Sequence, residues 1–306
     1  MSGDPADLDR PADHPPGHPP TNSPGHPPNH RWLVLRLEAP LVAFGGVTID
    51  AVGVTRDFPA ASMLTGLFAN ALGWSRTQVA AHQALQDRLV FGARWERRDP
   101  AGILTDSQNA QLEARERGWT TRGRPEERGG GGLGIHRRRR DYHPDACVRL
   151  VVRLGPAAQA PDPAAPDLDT LAAALVRPAR PLFIGRKPCL PSHPIWKPGA
   201  EVTAPTVHAA LALLPPLDPP LDPPLDPCLD PSLEQPDEAR TAAPPWPALW
   251  PVGEGPETGD GVDRVIALAD LRNWRTGLHG GTRLVVEGRI GPAPAALAAA
   301  PDGGTP

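Results

Sequence analysis

Proline falls unevenly along this chain, and its positions limit where helices and sheets can form. Of the 43 prolines in 306 residues, nine lie in residues 1–30 and fifteen in 199–256, but only five in 31–155. Proline has no backbone N–H and a fixed φ, so proline-dense segments form neither helix interiors nor central strands. We therefore expect the core within residues 31–198. The rest divides into a disordered tail over 1–30, a proline-rich insert over 199–256, closing C-terminal strands over 257–291 and a second disordered tail over 292–306.

Two of these segments are low in complexity. In the N-terminal tail His14, His18 and His26 each precede Pro-Pro. A solvated tail is favoured there over a metal-collecting one, because the segment has almost no apolar surface to bury. The second segment, Leu217–Ser232, consists of four Leu-Asp-Pro-x repeats. It predicts an extended, polyproline-like spacer, with a docking peptide as the alternative.

Apolar residues elsewhere recur with the period of two that is typical of strands. Alternation over Leu33–Leu37, Leu89–Trp95 and Val148–Leu154 predicts three strands that each bury at least one face. The short apolar run Leu182–Gly185 supplies a fourth. These four strands are the candidate sheet of the domain.

Helical spacing predicts two helices between those strands. The first runs from Ser62, placed as its N-cap, to Gly73, and the second follows Asp167 and is closed by Pro178. The order of elements is then βαββαβ. This order predicts an α+β, ferredoxin-like (RRM-like) domain, the arrangement on which many RNA-recognition modules are built.

A long insertion, the thumb, separates the second and third predicted strands. About 50 residues, 97–146, stand where a hairpin turn of two to five residues is usual. Residues 88–143 hold 13 Arg against 8 Asp and Glu, although the whole chain has a net charge of −4. The thumb could order on a nucleic-acid backbone, and Trp119 within it could stack on a base. A solvated loop whose arginines pair with local glutamates is the alternative.

No catalytic motif stands out. Gly129–Gly134 is glycine-rich but lacks the Gly-Lys-Ser/Thr of a phosphate-binding P-loop. Tyr142 and His143 could support metal-independent RNA cleavage, although neighbours on a strand point to opposite faces. His193, between two prolines, is better interpreted as a structural residue of a turn. The three cysteines have no metal-ligand spacing, and the N-terminal residues have no apolar leader. Together these two features predict a cytoplasmic protein.

Four motifs together resemble the CasD family, the subunit of the type I-E CRISPR Cascade complex that holds the 5′ handle of the guide RNA. They are Arg31–Gly45, Thr55–Gly66, Arg138–Ala146 and Pro181–Pro194, with a weaker match over Val265–Arg289. The most specific are the basic-aromatic lead into Asp-Ala and a strand, and Gly-Arg-Lys-Pro-Cys followed by His-Pro.

The resemblance implies a ferredoxin-like domain with a thumb hairpin between its second and third strands. In the family the thumb reaches a neighbouring backbone subunit and the guide-RNA handle, while the body caps one end of the assembly. The implied partners are the CRISPR RNA, the Cascade backbone and large subunits, and target DNA through the complex; no cofactor, metal or membrane is expected. Carried over by position, the candidate RNA-binding residues are Arg56, Ser62, Arg115, Arg117, Trp119, Arg122, Arg124, Arg128, Arg137, Arg138, Arg139, Arg140, Arg186 and Lys187.

The resemblance favours a non-catalytic RNA-binding subunit that serves antiviral defence. Relatives in type I-C systems cleave the guide precursor with Tyr, Lys and His, but this thumb has no Lys and Tyr142 is the only tyrosine of the chain. A metal-independent endoribonuclease that processes precursor CRISPR RNA remains the first alternative. A stand-alone RNA-binding protein is the second.

Overall fold

The computed structural model describes residues 28–46, 48–49, 51–110, 136–156, 165–217 and 245–291. These residues form a mostly antiparallel sheet with few helices, an α+β arrangement. The strands are β1 His30–Val42, β2 Thr48–Ile49, β3 Val52–Gly53, β4 Leu89–Arg97, β5 Leu104–Ala110, β6 His136–Leu154, β7 Glu201–Ala204, β8 Trp246–Pro251, β9 Val262–Arg272 and β10 His279–Ile290. The helices are α1 Ala61–Ala71, α2 Val79–Arg88, α3 Leu168–Val176 and α4 Val207–Ala212.

The strands form a large sheet and a small one that share β6. The large sheet has the order β7–β1–β6–β4–β8–β10–β9, and every pairing in it is antiparallel. The N-terminal part of β6 leaves this sheet and pairs with β5 on one side and β3 on the other. The three strands predicted by alternation correspond to β1, β4 and β6, so those predictions are confirmed.

Both faces of the large sheet are covered around β1, whose apolar residues alternate between two cores. Leu33, Leu35 and Leu37 lie in the main core with α1 and α3. Trp32 and Val34 point to the other face, where they belong to a second core with α4 and β8. A strand buried on both faces is apolar nearly throughout, as the sequence of β1 is.

Helix α1 begins two residues earlier than expected, at Ala61, and without the predicted cap. Its N-cap is Ala60, with no side-chain hydrogen bond at the cap, so the prediction that Ser62 caps this helix is wrong. The carboxylate of Asp270, on β9, instead accepts the N–H of Ala61 at 3.0 Å. Gly73, with φ 77°, does follow the helix end as predicted, since glycine adopts the left-handed conformation at no steric cost.

The predicted second helix is confirmed as α3. Asp167 is its N-cap, and the Asp167 carboxylate accepts the N–H of Thr170 at 2.7 Å. Helix α2 had not been predicted. The imidazole of His82, on this helix, lies between the rings of Trp74 and Trp274. Trp74 belongs to the loop between α1 and α2, and Trp274 belongs to the β9–β10 connection.

The predicted fourth strand, Leu182–Gly185, is wrong. This segment is a tight loop in which Gly185 has φ 84° and the N–H of Ile184 donates to the carbonyl of Cys189. The strand that pairs with β1 at this edge is β7, in a register from His30 opposite Ala204 to Leu33 opposite Glu201. Apolar character alone does not distinguish a strand from a buried loop. Here the left-handed conformation of Gly185 turns the chain, so the segment does not continue as a strand.

The segment 199–256, predicted as a proline-rich insert, contributes more to the fold than expected. Its described parts form β7, α4 and β8, and the Leu-Asp-Pro repeats fall largely outside the described residues. Both ends of this gap meet the buried side chain of Arg94. Its guanidinium donates to the carbonyls of Leu211 and Leu214, and it lies over the ring of Trp246.

Strand β6 connects the two sheets through Asp145. Asp145 is the one non-glycine with a positive φ, 39°, among the described residues, and Asp tolerates this conformation better than most side chains. Arg97 holds it by donating to both its carbonyl and its carboxylate. The run Arg137–Arg140 lies before Asp145, and most residues from Ala146 to Val152, after it, belong to the core.

Cys147 and Cys189 are buried, unpaired thiols. Burial raises the pKa of Cys147 to about 12, and the nearby carboxylate of Glu38 contributes in the same direction. Within the described residues no helix has the length and apolarity needed to cross a membrane.

Candidate nucleic-acid interface

The predicted thumb begins and ends in a paired ribbon. Strand β5 runs antiparallel to residues 136–142 of β6, in a register from Leu104 opposite Tyr142 to Ala110 opposite His136. We call these two paired segments the arginine ribbon. The residues between them, 111–135, lie outside the described part of the chain.

Four of the predicted RNA-binding arginines follow one another on this ribbon. Arg137, Arg138 and Arg139 are exposed, and Arg140 is half-buried. Arg140 donates from Nη1 to the carbonyl of Arg139 at 3.0 Å. Successive side chains on a strand alternate between its faces, so the structure divides these four arginines into two pairs.

Arg186 is placed next to the ribbon, and its side chain is used within the protein. Its guanidinium donates to the carbonyls of Asp141 and Gly53, each at 2.8 Å, and lies 4.9 Å from the centroid of the Tyr142 ring. It thereby ties β3 and β6 to the loop that contains Gly185. Lys187, the next residue, is exposed.

The site predicted at the start of α1 is occupied by protein groups. Arg56 donates from Nη2 to the carbonyl of Ala269, and the first N–H of the helix is taken by Asp270. Asp270 is buried and also accepts from Nε and Nη2 of Arg283, at 3.0 and 2.9 Å. At this helix N-terminus, a position that can bind phosphate, the first N–H is therefore engaged by a carboxylate of the protein.

Six predicted residues fall outside the described chain, so their roles stay predictions. They are Arg115, Arg117, Trp119, Arg122, Arg124 and Arg128.

Tyr142 and His143, the candidates for RNA cleavage, are both buried at the base of the ribbon. The imidazole of His143 packs against Phe44 and Trp95, and its Nε2 donates to the carbonyl of Arg56 at 2.8 Å. Burial lowers the pKa of His143, and the hydrogen bond to Arg56 acts in the opposite direction. The histidine is thus held as a neutral core residue, and no solvent-facing acid or base results from it.

A pocket of about 230 Å³ lies beside this region, between residues 55–58 and strands β8 to β10. Its two carboxylates, Asp57 and Glu287, are paired with Arg98 and Arg264. Across the described residues, no three His, Cys, Asp or Glu side chains converge in a way that could hold a metal ion.

Sequence reasoning missed the polar residues that line the ribbon opposite the arginines. Thr105, Ser107 and Asn109 on β5 are exposed and lie across from Asp141, Arg139 and Arg137. The sequence held no signal for them, since the uniformly polar Thr-Asp-Ser-Gln-Asn has no apolar periodicity and by pattern alone indicates a loop.

Known proteins resemble this chain in sequence and in fold. The family model described as "CRISPR-associated protein (Cas_Cas5)" matches residues 32–286. The Escherichia coli (strain K12) protein "CRISPR system Cascade subunit CasD" is 26% identical over 174 residues, which cover 57% of this chain and 73% of the E. coli protein. A chain in a solved "CRISPR RNA-guided surveillance complex" superposes with a TM-score of 0.55 at 21% identity, over 89% of this chain and 95% of that chain. At that identity the superposition shows a shared fold.

Proposed function

The chain belongs to the Cas5 family of CRISPR-associated proteins, and we propose that it is the subunit of a type I-E Cascade surveillance complex that holds the 5′ handle of the CRISPR RNA. The observation that carries the proposal is the row of exposed arginines, Arg137 to Arg139, on the paired ribbon. Arginine pairs with phosphate through two parallel hydrogen bonds, and a run of three presents this chemistry to both sides of a strand. The name of the E. coli relative, a Cascade subunit, supports the same role.

The subunit acts by binding, in the cytoplasm, with CRISPR RNA and the backbone and large subunits of Cascade as partners and target DNA reached through the complex. Its RNA-holding domain is ferredoxin-like. Support for this comes from the strand order β7–β1–β6–β4 and from α1 and α3, which pack on one face of that sheet. In a βαββαβ unit this is the order fourth, first, third, second strand.

The protein is not a ribonuclease in this proposal. Cleavage without a metal needs a base and an acid that converge on one phosphate. Tyr142 and His143 are buried, and the proton on Nε2 of His143 is engaged by the carbonyl of Arg56. Incubation of the purified protein with labelled precursor repeat RNA, without metal, tests this point: cleavage that His143→Ala abolishes would contradict it.

Purification of the tagged full-length protein from its host tests the main proposal. We expect partner subunits and a CRISPR RNA to co-purify, and the triple change R137A/R138A/R139A to reduce the RNA retained. If each arginine neutralises one phosphate, the slope of log affinity against log salt falls by about 2 in magnitude.

A matched control removes the same charge elsewhere. Arg76, Arg177 and Arg275 are exposed and lie outside the ribbon, so R76A/R177A/R275A is expected to retain the RNA. A protein that purifies alone, without RNA or other subunits, contradicts the proposed function.

A further inference from the structure

The two faces of the arginine ribbon carry different side chains. Cross-strand partners share a face, and neighbours along a strand do not. Arg137 and Arg139 therefore share a face with their partners Asn109 and Ser107, and we call this the Arg139 face. The Arg140 face carries Arg138, Arg140, Gln108 and Asp106.

On the Arg140 face, Arg140 is engaged by protein carbonyls and opposed by a carboxylate, whereas Arg138, directly across from Gln108, is exposed. Arg140 donates to the carbonyls of Arg139 and Ala51. Asp106 lies directly across from Arg140 and accepts a hydrogen bond from Gln108 at 2.7 Å. A phosphate placed on this face would meet the carboxylate of Asp106 beside the guanidinium.

The base of the Arg140 face runs into the body of the protein. Tyr142, two residues after Arg140, is buried, and the guanidinium of Arg186 lies over its ring. Both the Arg140 and the Arg186 side chains lie next to Gly53, close to where a side chain at that position would start. Protein atoms therefore crowd the base of this face, next to Arg140.

On the Arg139 face no carboxylate lies directly across from either cation. Within the described residues, neither Arg137 nor Arg139 makes a side-chain hydrogen bond or ion pair, and both are exposed. Their partners, Asn109 and Ser107, are neutral groups that can donate and accept hydrogen bonds. The one carboxylate of this face, Asp141, accepts the hydroxyl of Thr105 at 2.7 Å.

We propose that the RNA backbone lies along the Arg139 face, where Arg137 and Arg139 pair with phosphates and Ser107 and Asn109 hydrogen-bond to phosphate or ribose. Residues two apart on a strand are separated by about 6.6 Å, so the two guanidiniums can reach successive phosphates. The proposal rests on the proposed RNA-binding function and adds to it the orientation of the ribbon relative to the RNA.

Photo-cross-linking separates the two faces without changing any charge. A photoreactive amino acid is placed at Ser107 or at Gln108, which are adjacent, both exposed and on opposite faces. With the full-length protein and labelled repeat RNA from the host's own CRISPR array, we expect cross-links from position 107 and at least tenfold fewer from 108. Equal yields, or a higher yield from position 108, overturn the proposal.

Two charge-matched double variants give an independent measurement. R137A/R139A is expected to lower the salt slope of RNA binding by about 1.4, as for two lost phosphates, and R138A/R140A by less than half as much. Since Arg140 contributes to the local structure, the single variants R139A and R138A, both of exposed residues, are measured as well. Equal effects of the two pairs overturn the face assignment and leave RNA binding standing, whereas a wild-type protein that binds no RNA overturns both proposals.

Discussion

The guanidinium of Arg94 lies 4.3 Å from the centroid of the Trp246 ring. The same side chain donates to the carbonyls of Leu211, Leu214 and Pro215, and it pairs with the carboxylate of Glu96. The chain segments that precede and follow residues 218–244 therefore meet at one fully buried arginine. Leu217, the first residue of the Leu-Asp-Pro repeats, also donates its N–H to the carboxylate of Glu96, at 3.4 Å.

Arg94→Met is expected to lower the free energy of unfolding by about 3–5 kcal/mol. Removing one partner of a buried pair leaves the other charge uncompensated, and Arg149, at 4.0 Å, is the nearest cation left to Glu96. Urea denaturation followed by tryptophan fluorescence measures the loss. Arg264→Met breaks a surface pair with Glu287 and is expected to change stability far less, because solvent screens exposed ion pairs; similar losses in the two variants would contradict the prediction.

Comparing Gly185→Ala with Gly199→Ala separates two costs to stability: the backbone strain of a left-handed alanine and the steric overlap of its Cβ with neighbouring atoms. Both glycines have a left-handed φ, 84° and 81°, but only a Cβ at 185 would overlap the carbonyl of Ala43, while a Cβ at 199 meets nothing. We expect G199A to cost about 1–2 kcal/mol, the usual penalty for this conformation. G185A is expected to cost at least about 3 kcal/mol, since the loop must also move. Thermal unfolding of both variants provides the comparison, and equal costs would show that the overlap is relieved freely.

Asp270→Asn tests the carboxylate that replaces the expected helix cap. The change removes the ion pair with Arg283 while it keeps one oxygen for the N–H of Ala61, and hydrogen bonds to charged groups contribute about 1.5–3 kcal/mol each. We expect a loss of about 2–4 kcal/mol. A double-mutant cycle with Arg283→Met should show a coupling energy of at least about 1 kcal/mol, and strictly additive losses would mean that the pair does not stabilise the fold.

Glu38 is expected to make stability depend on acid pH. Burial opposes ionisation of Glu38, but hydrogen bonds from Arg97 and Arg36 outweigh it and hold its pKa below the usual value. A carboxylate with a lowered folded pKa stabilises the protein above its unfolded pKa of about 4.3, and this contribution is lost as the pH falls through the lower folded value.

Glu38→Gln should therefore be less stable than the wild type at pH 7, by about 1–3 kcal/mol, and the difference should shrink towards pH 3. Urea denaturation from pH 7 to pH 3 measures it. Asp260→Asn, a change at an exposed carboxylate, serves as the control and should leave the pH dependence unchanged. A constant difference between E38Q and the wild type across this range would count against the assignment.

Periodicity in the sequence predicted β1, β4, β6, α1 and α3, because each buries a regular apolar face. It could not predict α2, whose sequence Val79–Arg88 buries only His82, Leu85 and Gln86. That helix depends on the rings of Trp74 and Trp274, which tertiary structure brings to it. The prediction of a strand over 182–185 was wrong for the converse reason, since its one buried apolar side chain, Ile184, belongs to a loop.

The family and the run of arginines were also recognisable from the sequence, and the match to the Cas5 family model confirms the resemblance. What the sequence did not indicate is which cations the protein uses itself. Arg56 and Arg186 donate to backbone carbonyls, and local sequence carries no information about such partners. Asp270 was missed as the group at the start of α1 because it lies more than 200 positions away along the chain.

The positive φ of Asp145 lies between the ribbon and the core part of β6. The number of residues before Asp145 therefore determines which face of the ribbon each arginine occupies. Inserting or deleting one residue between Arg140 and Asp145 would leave the core register after Asp145 unchanged, but it would exchange the two faces of the ribbon, so that Arg138 and Arg140 would take the face that Arg137 and Arg139 now occupy. Related proteins that share this mode of binding should therefore differ in this stretch by substitution and, where they differ in length, by two residues at a time.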